Sequence, residues 1–530
     1  MDRYPVHIDR IRKNEYPLLN KTTYLDHAGS TPYPRSLMKS YQKFMNAHLF
    51  GNPHSQSPSS LQSTGVVETA RLRMLHFFRA DPEHFDLVFV ANATAALKLA
   101  AEGIRGHAQN TLWYGYHADS HTSLVGLREL ASAGSRCFFT DTEIEQWLSE
   151  DCNVPSNELN DGRAQAVKLL AYPAQSNMNG RRLPLDWPGQ LRRCASRSNG
   201  ELYSLLDAAA YVATAQLDLS DHENAPDFTA LSFYKIFGFP DLGALIVRKD
   251  VGQVLLKRQY FGGGTVDMVI NGSDDVWHAT KQGALHEALE DGTPAFHSIA
   301  ALHCALDVHT RLYGCMTNIS KHAGHLAVIL FSRMASLVHG NGRPVCTIYK
   351  SSSSDYQDSR TQGPTMAFNL RTCHGAWIGK SEFERLATLN KLQLRTGGVC
   401  NPGGIASYLD LSPKEMRENY AEGLRCGNGI DELNGKPTGI IRVSLGAMSN
   451  MKDVEACMNF VAIFVDQESS QDIQLSPSGE RNDSSQYFFW YRKKKSTGVP
   501  PMRLRTADHF HDRKLPEAPY SPAASSVLSL

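Results

Sequence analysis

Between about Tyr24 and Val465 the chain alternates short apolar runs with longer segments of helical period. That alternation confines it to an α/β architecture, a sheet layered with helices. LVFVAN (Leu87–Asn92), LLAYPAQ (Leu169–Gln175), LYSLLDAAA (Leu202–Ala210) and GALIVRKD (Gly243–Asp250) read as buried strands and their ends. Each of the first three passes into a polar or small-residue turn. In open α/β sheets ligands sit beyond the carboxyl ends of the strands, so three separate strand ends offer polar groups to one crevice. No internal repeat interrupts the pattern, and 530 residues are enough to bury a large core.

Charge excludes several partners. Lysine plus arginine and aspartate plus glutamate number 54 each, so no global field draws the protein to nucleic acid or to an anionic membrane. No apolar run is long enough to span a bilayer. The opening MDRYPVHIDRIRKNEY mixes both signs of charge and lacks the apolar stretch of a signal peptide, which leads us to expect a cytoplasmic protein. Ten cysteines are scattered without a CxxC pair or the His/Cys spacing of a zinc site, so mostly reduced thiols and no metal are expected. From about Gln467 the composition turns polar and serine-rich, with a basic run at Arg492–Lys495. We expect 466–530 to be a disordered tail, too polar to fold alone. Its basic run reads as either a targeting or anion-binding patch or a solvated charge cluster.

The segment DFTALSFYKIFGFPDLGALIV (Asp227–Val247) sets Lys235 between a strand-like run and a glycine-containing turn. A partly buried lysine near other cations stays nucleophilic and can bind an aldehyde cofactor covalently. Hydroxyls at Ser232 and Tyr234 suit a phosphate. A surface lysine at a strand end is the other reading of the same segment. Asp207 ends LYSLLD and precedes three alanines, an apolar setting in which an unpaired carboxylate is costly. A pyridinium nitrogen such as that of pyridoxal-5′-phosphate (PLP) would justify it. A cap on a helix beginning AAAYVATAQL would also do so.

Asp207-Ala-Ala-Ala, SFYKIFGFPDLGALIV and LRTGGVCNPGG (Leu394–Gly404) together resemble the class V aminotransferase-like proteins, which include the cysteine desulfurases. Within these the chain is most similar to the N-terminal desulfurase domain of molybdenum cofactor sulfurases. YLDHAGSTPYP (Tyr24–Pro34), GNPHSQS (Gly51–Ser57), ANATAALKL (Ala91–Leu99), DSHTSLVGLRE (Asp119–Glu129), YPAQSNMNGRRLPL (Tyr172–Leu185), EDGTPAF (Glu290–Phe296) and IRVSLGAMSN (Ile441–Asn450) follow in family order. The resemblance implies fold type I of the PLP-dependent aminotransferases. A large, mostly parallel sheet domain would span about 60–332. A smaller α/β domain would combine N-terminal residues with about 333–465, the whole region covering 22–465.

By the same resemblance Lys235 binds PLP covalently, Asp207 meets the pyridinium nitrogen, and His121 stacks on the ring and assists proton transfer. Ala93 and Thr94 hold the phosphate at a helix start, with Ser232 as a second phosphate ligand. Asn177 touches the ring hydroxyl side and the substrate, Gln175 neighbours the ring, and Arg442 clamps the substrate carboxylate. Thr293 reaches the phosphate of a neighbouring subunit, which implies a homodimer. Cys400, flanked by Gly397, Gly398, Gly403 and Gly404, is expected on a mobile, exposed loop, with Arg395 helping to keep its thiolate.

The implied activity is a PLP-dependent L-cysteine desulfurase that leaves alanine and a Cys400 persulfide. The sulfur would then pass to an acceptor, for molybdenum cofactor-type sulfuration or in a small-molecule biosynthesis. Ala210 and Tyr234 stand where many bacterial-type desulfurases have glutamine and histidine, which favours the molybdenum cofactor sulfurase branch. In place of that branch's C-terminal MOSC-type domain the chain has its polar tail, which puts direct delivery to the molybdenum cofactor in doubt. Two alternatives stand beside this reading. A C–S lyase, aminotransferase or epimerase of the same fold would have no use for Cys400, and an inactive scaffold would not need the site residues.

Overall fold

The computed structural model describes residues 4–155, 158–159, 166–198, 200–272 and 275–467. The expected tail therefore lies outside the described residues apart from Asp466 and Gln467, and so does the Arg492–Lys495 run.

Seven strands form the main sheet, in the order Phe85–Val90, Gly243–Arg248, Phe228–Ser232, Leu202–Asp207, Val167–Pro173, Leu112–His117, Gly134–Phe138. Only Gly243–Arg248 runs against its neighbours; the other pairings are parallel. A parallel sheet needs both faces covered, so its strands are apolar throughout rather than alternating. Phe228–Ser232 and Gly243–Arg248 are accordingly buried at every position. One apolar cluster includes Leu87, Leu170, Leu206, Leu231 and Ile246, and the other Val88, Leu169, Leu205, Ala230 and Leu245, the period-two alternation of a sheet covered on both sides. Helix Ala93–Ala108 belongs to the second cluster, burying Ala96, Leu97, Ala100, Ala101 and Ile104 along one stripe.

The four expected strands are present, with their ends at Val90, Pro173, Asp207 and Arg248. The helix that AAAYVATAQL could have opened does not form; residues 209–214 make turns. A distant side chain competes for the backbone: the Ala210 carbonyl, which a helix would pair with the amide at 214, instead accepts from Gln175 Nε2 at 3.3 Å. The Thr214 amide bonds to Tyr211 O.

A second sheet is antiparallel, in the order Cys346–Ile348, Thr365–Arg371, Ile440–Ser444, Arg395–Gly397, with Trp377–Ile378 beside Thr365–Arg371. Helices Met316–Ala335 and Met451–Val461 pack on it through Leu326, Leu330, Met334, Val454 and Val461. The N-terminal segment is threaded into this sheet. Thr23–Tyr24 pairs in parallel with Leu392–Gln393, and Leu25 accepts from the Ser444 amide at 2.7 Å.

Eight of the ten cysteines are free, while Cys152 and Cys194, both fully buried, are joined as a disulfide. Among the described residues no helix is long and apolar enough to cross a membrane.

Candidate active site

Parallel strands deliver their carboxyl ends to one edge, and the turns beyond those ends enclose a cleft of about 340 Å³. Ala93, Thr94, His121, Gln175, Asn177, Asp207, Ser232 and Lys235 all line it. The structure thus brings together eight residues proposed from five separate stretches of sequence. Arg442, Cys400 and Thr293 are not among the lining residues.

Lys235 sits on a single helical turn, Tyr234–Phe237, directly after strand Phe228–Ser232. Gly238 ends the turn with φ at 78°, and a Cβ there would come within 2.5 Å of the Tyr33 amide and 2.7 Å of the Thr31 carbonyl. Only glycine meets both demands. The Lys235 amine makes no hydrogen bond or ion pair among the described residues. Burial pushes its pKa down; Asp207 opposes that, and Arg442 and Arg395 add to it. An unpartnered amine whose pKa burial lowers is more readily available to a covalent aldehyde ligand. Asp207, itself 9% exposed, has Oδ1 occupied by the Ala209 amide at 3.0 Å, and Oδ2 keeps its capacity to accept.

The opposite end of the cleft suits a phosphate. Asn92 caps helix Ala93–Ala108 by accepting from Ala95 N, and the Ala93 amide donates to Ser232 Oγ at 3.1 Å. The Thr94 amide has no partner among the described residues, leaving an N–H at the positive end of a sixteen-residue helix. Thr94 Oγ1 lies 2.8 Å from Ser123 Oγ, which lies 2.9 Å from His121 Nδ1. His121 Nδ1 also accepts the Ser123 amide, so the imidazole proton belongs on Nε2. Burial, with Lys235 and Arg442 nearby, lowers the His121 pKa against the pull of Asp207, and the ring is neutral at pH 7. A lysine, a carboxylate and a helix-end phosphate cradle in one cleft therefore fit PLP.

Gln175 is committed elsewhere, since its amide bonds the Ala210 carbonyl and accepts from Arg182 Nε at 2.9 Å. Asn177 is likewise engaged: Nδ2 donates to Val399 O at 2.6 Å and Oδ1 accepts from Asn401 Nδ2 at 3.0 Å.

Cys400 is exposed, as expected, but its loop is tethered. Thr122 N donates to Cys400 O at 2.9 Å, so the cysteine's backbone is fastened to the turn beside His121. Val399 and Cys400 both lie in the left-handed region, at φ 44° and 54°. That is a costly conformation for a β-branched residue, held here by the bonds to the two carbonyls. Glycine flanks suggested mobility; the long-range bonds that restrain the loop have no local sequence signal. Gly403 approaches the Ala118 carbonyl too closely for any side chain, which seats the following helix, Pro402–Tyr408, on the His121 segment.

Arg442 is 2% exposed on strand Ile440–Ser444. Its Nη2 donates to Asp26 Oδ1 at 2.7 Å and its Nη1 to Asn177 O at 2.8 Å. Arg395 pairs with the other oxygen of Asp26, so the cation expected to favour the Cys400 thiolate is partly balanced by a carboxylate. Thr293 lies beside Asn52, whose Nδ2 is 3.3 Å from its hydroxyl, and does not reach the cleft of its own chain.

Two functional neighbours escaped the sequence reading. Asn401, fully buried, bonds Asp119 and Asn177 and caps Pro402–Tyr408 by accepting from Gly404 N. The Asn-Pro step at a helix start was its available signal. Asp26 had none.

Comparison with known proteins agrees with this geometry. The aminotransferase class-V family model matches residues 23–457, and the chain belongs to that family. Within it, the chain is homologous to the molybdenum cofactor sulfurases. It is 54% identical over 480 residues to the one from Aspergillus niger and 55% identical over 500 residues to the one from Aspergillus terreus. These alignments cover 91% and 94% of this chain but 57% and 58% of the relatives. Among solved structures, a cysteine desulfurase from Thermococcus onnurineus NA1 superimposes with a TM-score of 0.64 at 17% identity, covering 87% of this chain and 98% of that one. The cysteine desulfurase CsdA from Escherichia coli gives 0.62 at 19%, covering 86% and 98%. Both likenesses concern the fold, the type I architecture of PLP-dependent enzymes.

Proposed function

We propose that the protein is a PLP-dependent L-cysteine desulfurase that collects sulfur on Cys400. The observation that carries this is a juxtaposition: an unpartnered Lys235 amine faces the Asp207 cleft, and the exposed Cys400 is fastened by its carbonyl to the turn that bears His121.

Lys235 holds the cofactor aldehyde, Asp207 its ring nitrogen, and Ala93, Thr94 and Ser232 its phosphate. Bound there, PLP supplies an electron sink that makes the substrate's Cα proton removable. Lys235 Nζ, whose pKa burial lowers, takes that proton, and His121 offers Nε2–H as a donor. Arg442 orients the substrate carboxylate. The Cys400 Sγ attacks the sulfur of the bound cysteine and the substrate C–S bond breaks. The bond's electron pair stays on the substrate carbon, which takes a proton and leaves as alanine, while Cys400 keeps the sulfur as a persulfide. The acceptor is a small molecule of the molybdenum cofactor type or another biosynthetic sulfur acceptor, consistent with the relatives' name, Molybdenum cofactor sulfurase.

A homodimer belongs to the same proposal. Thr293 does not line the cleft of its own chain, which is compatible with its serving the phosphate of a second copy. The hairpin Val266–Asn271/Val276–Thr280 exposes Met268, Val269, Ile270, Val276 and Trp277, an apolar surface that a second copy would cover. Two domains, one around each sheet, and a cytoplasmic location with eight free thiols complete the reading.

The decisive experiment measures alanine and sulfide release from L-cysteine with a reductant, alongside visible absorbance. Wild type is expected to be yellow and active, Lys235→Ala colourless and inactive, and Cys400→Ala yellow and inactive. A Cys400→Ala protein as active as wild type would end the persulfide step and leave a lyase or transaminase in its place.

A further inference from the structure

The segment YLDHAG has a role in the fold, yet its one carboxylate has so far had no function. Asp26 follows Leu25, whose amide donates to Gln393 O and whose carbonyl accepts from Ser444 N, both at 2.7 Å. Those bonds hold Asp26 between the strand Leu392–Gln393, two residues before Arg395, and the strand that carries Arg442. Oδ1 accepts from Arg442 Nη2 at 2.7 Å, and Oδ2 accepts from Arg395 Nε at 3.1 Å.

Two acceptors, Asp26 Oδ1 and the Asn177 carbonyl, hold the two terminal nitrogens of Arg442 and so set the plane of its guanidinium. Its Nε is buried and has no hydrogen-bond partner among the described residues. A buried N–H left unpaired is costly unless something arrives to accept from it. Arg442 and Arg395 both act on the Lys235 amine, so the pair held by Asp26 stands beside the cleft. The space around the pair is kept clear as well. A Cβ on Gly29 would lie 2.6 Å from Asp26 Oδ2 and 2.9 Å from Arg395 Nη2, inside the ion pair itself.

We propose that Asp26 is a positioning residue that orients the Arg442 guanidinium, with Arg395 alongside, to receive the carboxylate of an α-amino acid. The proposal rests on the reading of Arg442 as the carboxylate site and adds what holds that arginine in register. Asp26 touches neither substrate nor cofactor; it acts through the two arginines.

The test uses the PLP-loaded full chain and compares binding of L-alanine with binding of L-alaninamide by calorimetry, together with KM and kcat for L-cysteine. Wild type should prefer the free carboxylate at least tenfold. Asp26→Asn should cut that preference at least fivefold and raise KM at least tenfold, with kcat within threefold and the cofactor absorbance unchanged. Asp26→Glu should restore part of the preference. Gly29→Ala, which leaves both charges in place and crowds the pair, should raise KM at least threefold, and it decides the matter if Asp26→Asn does not fold. An Asp26→Asn or Gly29→Ala protein with the wild-type preference and KM overturns the proposal. A wild type without the preference overturns the carboxylate reading of Arg442 instead.

Discussion

The floor of the cleft and its rim are built in opposite ways. On the floor, Lys235, Asp207 and the Thr94 helix start each sit within a few residues of a strand's carboxyl end, and the parallel sheet alone brings them together. The rim draws Arg442, Arg395, Cys400 and Asp26 from an antiparallel sheet and a threaded N-terminal segment. Ion pairs and single hydrogen bonds across hundreds of residues hold it. The floor needs only the backbone hydrogen bonds of a fold to be correct. The rim needs particular side chains to meet, so each of its contacts is separately breakable.

That contrast can be broken experimentally. The largest effect should come from the floor. Asp207→Asn is expected to cut alanine formation on the order of 10²- to 10³-fold, the usual cost of removing one preorganised electrostatic partner. Thermal stability should hardly move, since Oδ1 makes a single bond to the Ala209 amide. A variant within tenfold of wild type would mean that the carboxylate is a structural cap.

Next in size is acid lability. Burial lowers the His309 pKa to about 4, whereas the unfolded imidazole titrates near 6.5. The unfolded state therefore binds the proton first, and the fold loses stability as the pH falls from about 6.5 to about 4. The loss is on the order of 3 kcal/mol. On the rim side His27, lowered to about 3 by burial with Arg12 adding to it, extends the same loss further into acid. His309→Phe, in a site beside Phe77 and Phe237, should flatten the drop in melting temperature between pH 6.5 and pH 4. An unchanged slope would show that this histidine does not drive it.

Asn401→Ala probes the rim more gently. It removes a helix cap, costing about 1 kcal/mol, and the side-chain ties of Asn401 to Asp119 and to Asn177 Oδ1, while the bonds to the Val399 and Cys400 carbonyls remain. We expect persulfide formation, read by trapping the Cys400 sulfur with an alkylating agent, to slow about tenfold with the cofactor absorbance intact. Equal loss of both signals would deny that floor and rim are separable. The smallest effect belongs to Thr94→Val. Losing the hydroxyl contact to Ser123 should weaken PLP binding by only a few-fold, about the worth of one hydrogen bond, because the Thr94 amide and Ser232 remain.

The physics of legibility follows the same division. Apolar runs with no alternation declare a sheet buried on both faces, and such a sheet forces its ligands to one edge, so strands ending at Pro173, Asp207 and Ser232 were readable with their chemistry attached. Family motifs extended this to His121, Asn177 and Arg442. Local pattern misled where distant groups competed for the backbone: the alanine run after Asp207 reads as a helix start, but Gln175 takes the carbonyl that a helix needs. Glycines around Cys400 implied freedom, whereas Thr122 and Asn177 tie the loop from two other segments. The sequence by itself thus determined the sheet, its ligand edge and the identity of the residues on the floor, because strand burial and strand ends are local properties. Tertiary structure alone decided the setting of Asp26, the restraint on Cys400 and the pairing of Cys152 with Cys194. Each of these depends on which distant side chain arrives at hydrogen-bonding or bonding distance, and nothing in the neighbouring residues records that.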